Sequence, residues 1–124
     1  MTQPTPRSYW CYRTCFRPGS DRMAAGTDLL TPYPGRAIAW IRSEVRLVFA
    51  GLANESDRAR VMAWLDDLQA AGTAVRELRT GSYTYHLHTA TGVRWLWMAH
   101  RVSGLPLLTA AGHYRDLSGQ TPVR

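Results

Sequence analysis

Polar and apolar positions alternate most regularly between Ser82 and Val102, SYTYHLHTATGVRWLWMAHRV. Period-two alternation in runs rich in aromatic and β-branched residues predicts two strands, and Thr91-Gly92 predicts the turn that joins them. With a two-residue loop, His88 stands opposite Trp95 and His86 opposite Trp97. His86, His88, Trp95, Trp97 and Arg101 then share one face, and Tyr83, Tyr85, Leu87, Leu96 and Met98 the other. The second group is the expected core, and the first is a platform of imidazole, indole and guanidinium. A three-residue loop shifts the register by one and regroups these side chains.

Upstream, Val61, Trp64, Leu65 and Leu68 recur at helical spacing, and Asn54 is placed to cap their helix. Glu55 and Asp57 put negative charge in its first turn, and Gly72 is the expected stop, giving one main helix over 55–71. Residues 37–52 carry two patterns at once. Ile38, Ile41, Val45, Val48 and Leu52 follow a helical period, whereas Val45, Leu47 and Phe49 alternate. A strand over 45–50 is expected, preceded by a helix or another strand. Val75–Arg79 reads as a further short strand, followed by a second turn at Thr80-Gly81. Strands over 74–79, 82–90 and 93–102 would then form a meander, with Glu77 and Arg79 joining the histidine–tryptophan face. Pro106 opens a short helix through Leu107, Leu108 and Ala111, leading to His113-Tyr114-Arg115.

The N-terminal stretch is harder to place by pattern. MTQPTPRS reads as disordered, YWCYRTCF is aromatic and basic, and Arg17-Pro18-Gly19-Ser20 and Thr31-Pro32-Tyr33-Pro34-Gly35 are turns or extended chain. The reading is an N-terminal extension over 1–36, partly disordered and packing onto the body. The functional alternative is an arm that stacks on bases. A single domain over 37–118 and a tail over 119–124 complete the division. The expected class is α+β, an antiparallel sheet of three or four strands packed on the helix at 55–71.

Composition changes this picture in two places. The net charge is +6, and all fifteen basic residues are arginine. A GC-rich genome accounts for that choice, but arginine also suits bidentate phosphate contacts, so a polyanionic partner stays open. Cys11 and Cys15 are too few for a disulfide framework, and their spacing matches neither a redox nor a zinc motif, so free thiols are expected. No signal peptide or membrane-length apolar run is present, and a cytoplasmic protein with no membrane association is expected. Serine-nucleophile elbows, phosphate-cradling glycine loops, dinucleotide fingerprints and helical His-Glu-x-x-His motifs are absent from the sequence.

The chemistry-bearing residues gather late in the chain. Glu77, His86, His88, His113 and Tyr114 are the types that abstract and return protons. Arg79, Arg101 and Arg115 could hold phosphate, and Trp95 and Trp97 could stack on unpaired bases. A small, metal-independent ribonuclease needs this set and no cofactor. The bland reading places the tryptophans in the core and leaves the arginines solvated. His86-Leu87-His88 also has a spacing that metal sites use, but no third ligand shares its face in this register.

The helix ending Trp64-Leu65-Asp66-Asp67-Leu68, Val75-Arg76-Glu77-Leu78-Arg79, the meander and His113-Tyr114 together resemble ribonuclease toxins of the RelE and HigB type, over residues 45–117. The resemblance implies a sheet that cradles messenger RNA on the ribosome, with basic, histidine and tyrosine residues near the C-terminus cutting it. The lysine-rich pattern of many such toxins is missing. Separately, Phe49-Ala50-Gly51-Leu52, Asp57-Arg58-Ala59 and Ala63-Trp64-Leu65 resemble the last helix of class I cytochromes c. No Cys-x-x-Cys-His accompanies them and Leu47 stands where the methionine ligand would be, so haem is not expected. Three functional readings follow. RNA binding with toxin-type cleavage leads. A non-catalytic interaction or small-ligand domain, dimeric or with a protein partner, is the alternative, and a histidine metal site is third.

Overall fold

The computed structural model describes residues 7–20 and 23–103. Two strands, β1 (Ser8–Phe16) and β2 (Met23–Thr31), are followed by three helices, α1 (Pro34–Ala50), α2 (Glu55–Asp66) and α3 (Leu68–Arg79). Strands β3 (Ser82–His88) and β4 (Arg94–Val102) close the order. All four strands form one antiparallel sheet in the order β2-β1-β4-β3. The expected α+β class is therefore what the chain adopts. The expected boundary at residue 36 is not, because β1 is a central strand paired along its whole length with β4. Ser8, assigned above to a disordered start, is already in that ladder.

Each helix forms for a local reason. Pro34 occupies the first turn of α1, where its missing N–H costs nothing. Ala37, Ile38, Ile41 and Val45 bury one stripe of that helix. The strand expected over 45–50 is corrected: Val45 is fully buried while Leu47 is 70% exposed, so burial follows the helical period and not the alternation. Asn54 caps α2, its side chain accepting from the Asp57 N–H at 3.0 Å. The single helix over 55–71 is also corrected. Asp67 adopts an extended conformation between two helices, and its carboxylate accepts from the Ala70 N–H at 3.0 Å. That cap restarts the chain as α3, which runs through Gly72 and takes in the expected strand over 74–79. Ala74 and Leu78, one turn apart, are its buried pair.

The helices lie on one face of the sheet, and the core fills the space between. Tyr9, Cys11, Leu87, Trp97 and Ala99 from the strands meet Ile38, Ile41, Val45, Val61, Leu65, Ala74 and Leu78 from the helices. Trp64 stacks on Tyr85 with ring centroids 3.9 Å apart, and Tyr85 and Trp95 each lie 5.8 Å from Trp97. Polar ties cross the layers. Arg13 Nη1 donates to Glu44 at 2.8 Å, joining β1 to α1. Arg42 donates to the Leu65 carbonyl, and Arg58 donates to the Leu52 and Phe49 carbonyls behind the end of α1. No helix among the described residues is long and apolar enough to cross a membrane.

Cys11 and Cys15 are free thiols, both buried. Burial first, and the Asp28 carboxylate second, push the Cys11 thiol from 9.0 up to about 12. Burial likewise raises Tyr83 and Tyr85 above 10.0. Raised pKa values in the folded state mean that the unfolded chain loses these protons first. The stabilisation is complete below pH 9.0 and is lost as pH climbs toward the Cys11 value of about 12. Urea melts at a series of alkaline pH values should show a falling midpoint. At neutral pH both thiols should resist alkylation in the native protein and react only when it is unfolded, as read by mass spectrometry.

Candidate nucleic-acid interface on the open sheet face

The hairpin loop decides which side chains reach solvent. Thr89 N–H donates to the Val93 carbonyl at 2.9 Å, leaving Ala90-Thr91-Gly92 as a three-residue loop with Gly92 at φ +89°. Thr89 Oγ1 accepts from the Val93 N–H at 3.1 Å and lies 3.0 Å from Thr91 Oγ1, which braces the wider loop. The register is shifted by one from that of a two-residue turn. His88 pairs with Arg94, His86 with Leu96, Leu87 with Trp95, and Tyr85 with Trp97.

Three of the expected platform residues, Trp95, Trp97 and Arg101, therefore change sides. Trp95 and Trp97 face the helices, Trp95 half-buried and Trp97 wholly buried, and neither is on the face that carries His86 and His88. His86 and His88 stay exposed on the opposite face, now with Arg94, Leu96, Met98 and His100. Glu77 is on α3, on the helical side, beside Trp64 and Tyr83, so the sheet separates it from His86 and His88. Arg101 Nη1 donates to the Arg79 carbonyl at 3.2 Å, tying the end of β4 to the end of α3. The expected catalytic set is thus not assembled among the described residues. His113, Tyr114 and Arg115, and the short helix expected from Pro106, lie outside them.

Pairing with β1 completes the open face. Trp10, Tyr12, Thr14 and Phe16 sit opposite His100, Met98, Leu96 and Arg94. Trp10 and Tyr12 have ring centroids 4.6 Å apart, and the Tyr12 and His100 rings stack at 5.7 Å. Trp10 Nε1 donates to Asp28 Oδ2 at 3.1 Å, which fixes the indole. The Tyr12 hydroxyl lies 3.1 Å from His100 Nε2 and can donate to Met98 Sδ at 3.3 Å. When its proton goes to the sulfur, the Nε2–H tautomer of His100 can donate to the oxygen. Arg94 sits over the Phe16 ring at 4.7 Å. The result is a strip of rings crossing the two central strands, with Trp10 41% exposed and Leu30 of the edge strand β2, its pairing partner, 38% exposed.

Trp10, Tyr12, Phe16, Arg94 and His100 carry this face, and sequence reasoning did not place them there. The available signal was the alternation of Trp10, Tyr12, Thr14 and Phe16 against Tyr9, Cys11, Arg13 and Cys15, hidden because both sets are largely apolar. Among the described residues no group of three or more metal-ligating side chains comes together. Chemically the described part of the face offers stacking surfaces, three imidazoles and a guanidinium, with one hydroxyl, that of Tyr12, held against the His100 ring. No family model, no curated protein and no solved structure matches the chain.

Proposed function

We propose that the protein binds single-stranded RNA on the open face of its sheet. The observation that carries this reading is the ring strip Trp10–Tyr12–His100 across β1 and β4. Unpaired bases stack on such rings whatever their identity, at about 1–3 kcal/mol per base, and four-stranded sheets with aromatic residues on central strands are a known way to hold them. Arg94 beside the strip, and His86 and His88 on the adjacent strand, support the reading as exposed groups that could contact phosphates. A net charge of +6 favours a polyanion over a neutral partner. For toxin-type cleavage, His86, His88 and His100 are the acid–base groups this face holds.

Leu30, Leu96 and Met98 lie on the same face and favour a second reading, a non-catalytic interface with a second copy or another protein. One experiment separates the two. A fluorescent single-stranded RNA is titrated at roughly 50 and 200 mM salt, with duplex RNA as a control and ribosomes added in one arm, and cleavage is followed in the same tubes. Binding should weaken steeply with salt. Tyr12→Ala should cost about 1–3 kcal/mol, or roughly 5- to 150-fold in affinity. If a folded Tyr12→Ala protein binds as the parent does, or binding is absent at low salt with and without ribosomes, the RNA reading fails. A concentration-dependent dimer that the same substitution dissolves would then establish the second reading.

A further inference from the structure

A separate concavity lies at the other side of the sheet, where its end meets the α1–α2 connection. Its volume is about 520 Å³, within the usual range for small-molecule sites. Leu47, Val48, Leu52, Val93 and the Trp95 ring make its walls. Leu47 is 70% exposed on a helix whose core stripe is complete without it, so its side chain lines this groove rather than filling the interior. The mouth is built by two loops in contact: a methyl group at Gly92 would meet Pro18 Cγ at 3.3 Å, so the β3–β4 loop rests on the turn that carries Arg17.

Among the described residues the charges around the groove do not cancel. Arg13 lies over the Trp95 ring at 5.5 Å and gives one nitrogen to Glu44. Asp57 also lines the groove, but it is 2% exposed and its two oxygens are taken by Arg60 and by the Ala90 N–H at 2.9 Å. Arg17 is exposed, and its guanidinium has no hydrogen-bond or ion-pair partner among the described residues. Among the described residues, Arg13 and Arg60 are paired with carboxylates and Arg17 is not, which puts a positive charge beside an indole and aliphatic walls.

From this we infer that the groove is a binding site for a small aromatic monoanion, such as an aryl carboxylate, whose ring lies among Leu47, Leu52 and Trp95 and whose anionic group meets Arg17. The site is independent of the RNA reading and uses none of the residues of the open face.

Anilinonaphthalenesulfonate, an aromatic monoanion, and the uncharged phenylnaphthylamine are the probes. Each is titrated by fluorescence against the parent, Arg17→Ser, Leu47→Asp and Trp10→Ala, all first matched to the parent in circular dichroism and melting temperature. The sulfonate should bind with one-to-one saturation. Arg17→Ser should weaken it about tenfold and leave the uncharged probe unchanged. Leu47→Asp should weaken both, and Trp10→Ala neither. Absence of saturable binding overturns the inference. So does sulfonate binding that ignores Arg17→Ser and Leu47→Asp, or that is lost with Trp10→Ala, which would place the probe on the open sheet.

Discussion

Trp97→Ala should destabilise the protein by about 3–5 kcal/mol, lowering the melting temperature by on the order of 10–20 °C, while Trp97→Phe should cost far less. Trp97 is the largest wholly buried side chain, in contact with Tyr85 and Trp95 at the centre of the sheet's inner face. Truncation to alanine removes the ring and leaves a cavity that the surrounding rings cannot collapse to fill. A loss of this size is a large share of the 5–15 kcal/mol typical of a domain. Phenylalanine keeps most of the packing and also removes a liability, because the indole Nε1 is buried without a hydrogen-bond partner. Leaving a buried donor unpaired costs about 1–3 kcal/mol, which offsets part of the lost ring volume. Thermal melts of the two variants check the ordering. Equal losses would mean that the N–H matters more than the packing. RNA titration of Trp97→Phe adds a functional check: unchanged affinity is expected, since the residue is on the covered side.

The same residue shows why the fold was more legible than the site. Alternation located both strands of the hairpin, and the Asn54 cap located the start of α2, since each is a local signal that local hydrogen bonds enforce. The faces depended on one residue of loop length. Thr89 and Thr91 stabilise the three-residue loop through their hydroxyls, a contact that turn preferences around Thr-Gly do not encode. That single step moved Trp95 and Trp97 to the helical side, Trp97 into the core, and brought His100 to the face of His86 and His88. Residues 45–50 were ambiguous because Val45 and Val48 continue the helical period while Val45, Leu47 and Phe49 alternate, and only the sheet packed beneath α1 selects the helical one. β1 was unreadable as a central strand for the opposite reason: rings on both faces leave no polar side to alternate with. Asp67 was visible but misjudged, as a polar residue inside one helix instead of the cap of the next.

Asp57 joins the two halves of the molecule, and its removal is the second large effect expected. Its carboxylate is nearly buried, sits in the first turn of α2, accepts from the Ala90 N–H of the hairpin loop and pairs with Arg60. Asp57→Ala leaves the Ala90 N–H without its acceptor, at about 1–3 kcal/mol, and removes a favourable charge from a helix N-terminus, at about 0.3–1 kcal/mol. Arg60 adds little to this, because its side chain is 55% exposed and rehydrates once freed. A total of about 1–4 kcal/mol follows. Asp57→Asn keeps an acceptor for Ala90 and loses only the charge, so it should fall well short of alanine. Chemical denaturation of both variants measures the difference, and exchange of the Ala90 amide proton reports on the contact itself. Faster exchange at Ala90 in Asp57→Ala, with near-parental protection in Asp57→Asn, is the expected pattern. Equal destabilisation by the two substitutions would assign the effect to charge and not to the hydrogen bond. The loop also forms one wall of the groove beside Arg17, so Asp57→Ala should weaken sulfonate binding there while Asp57→Asn preserves it.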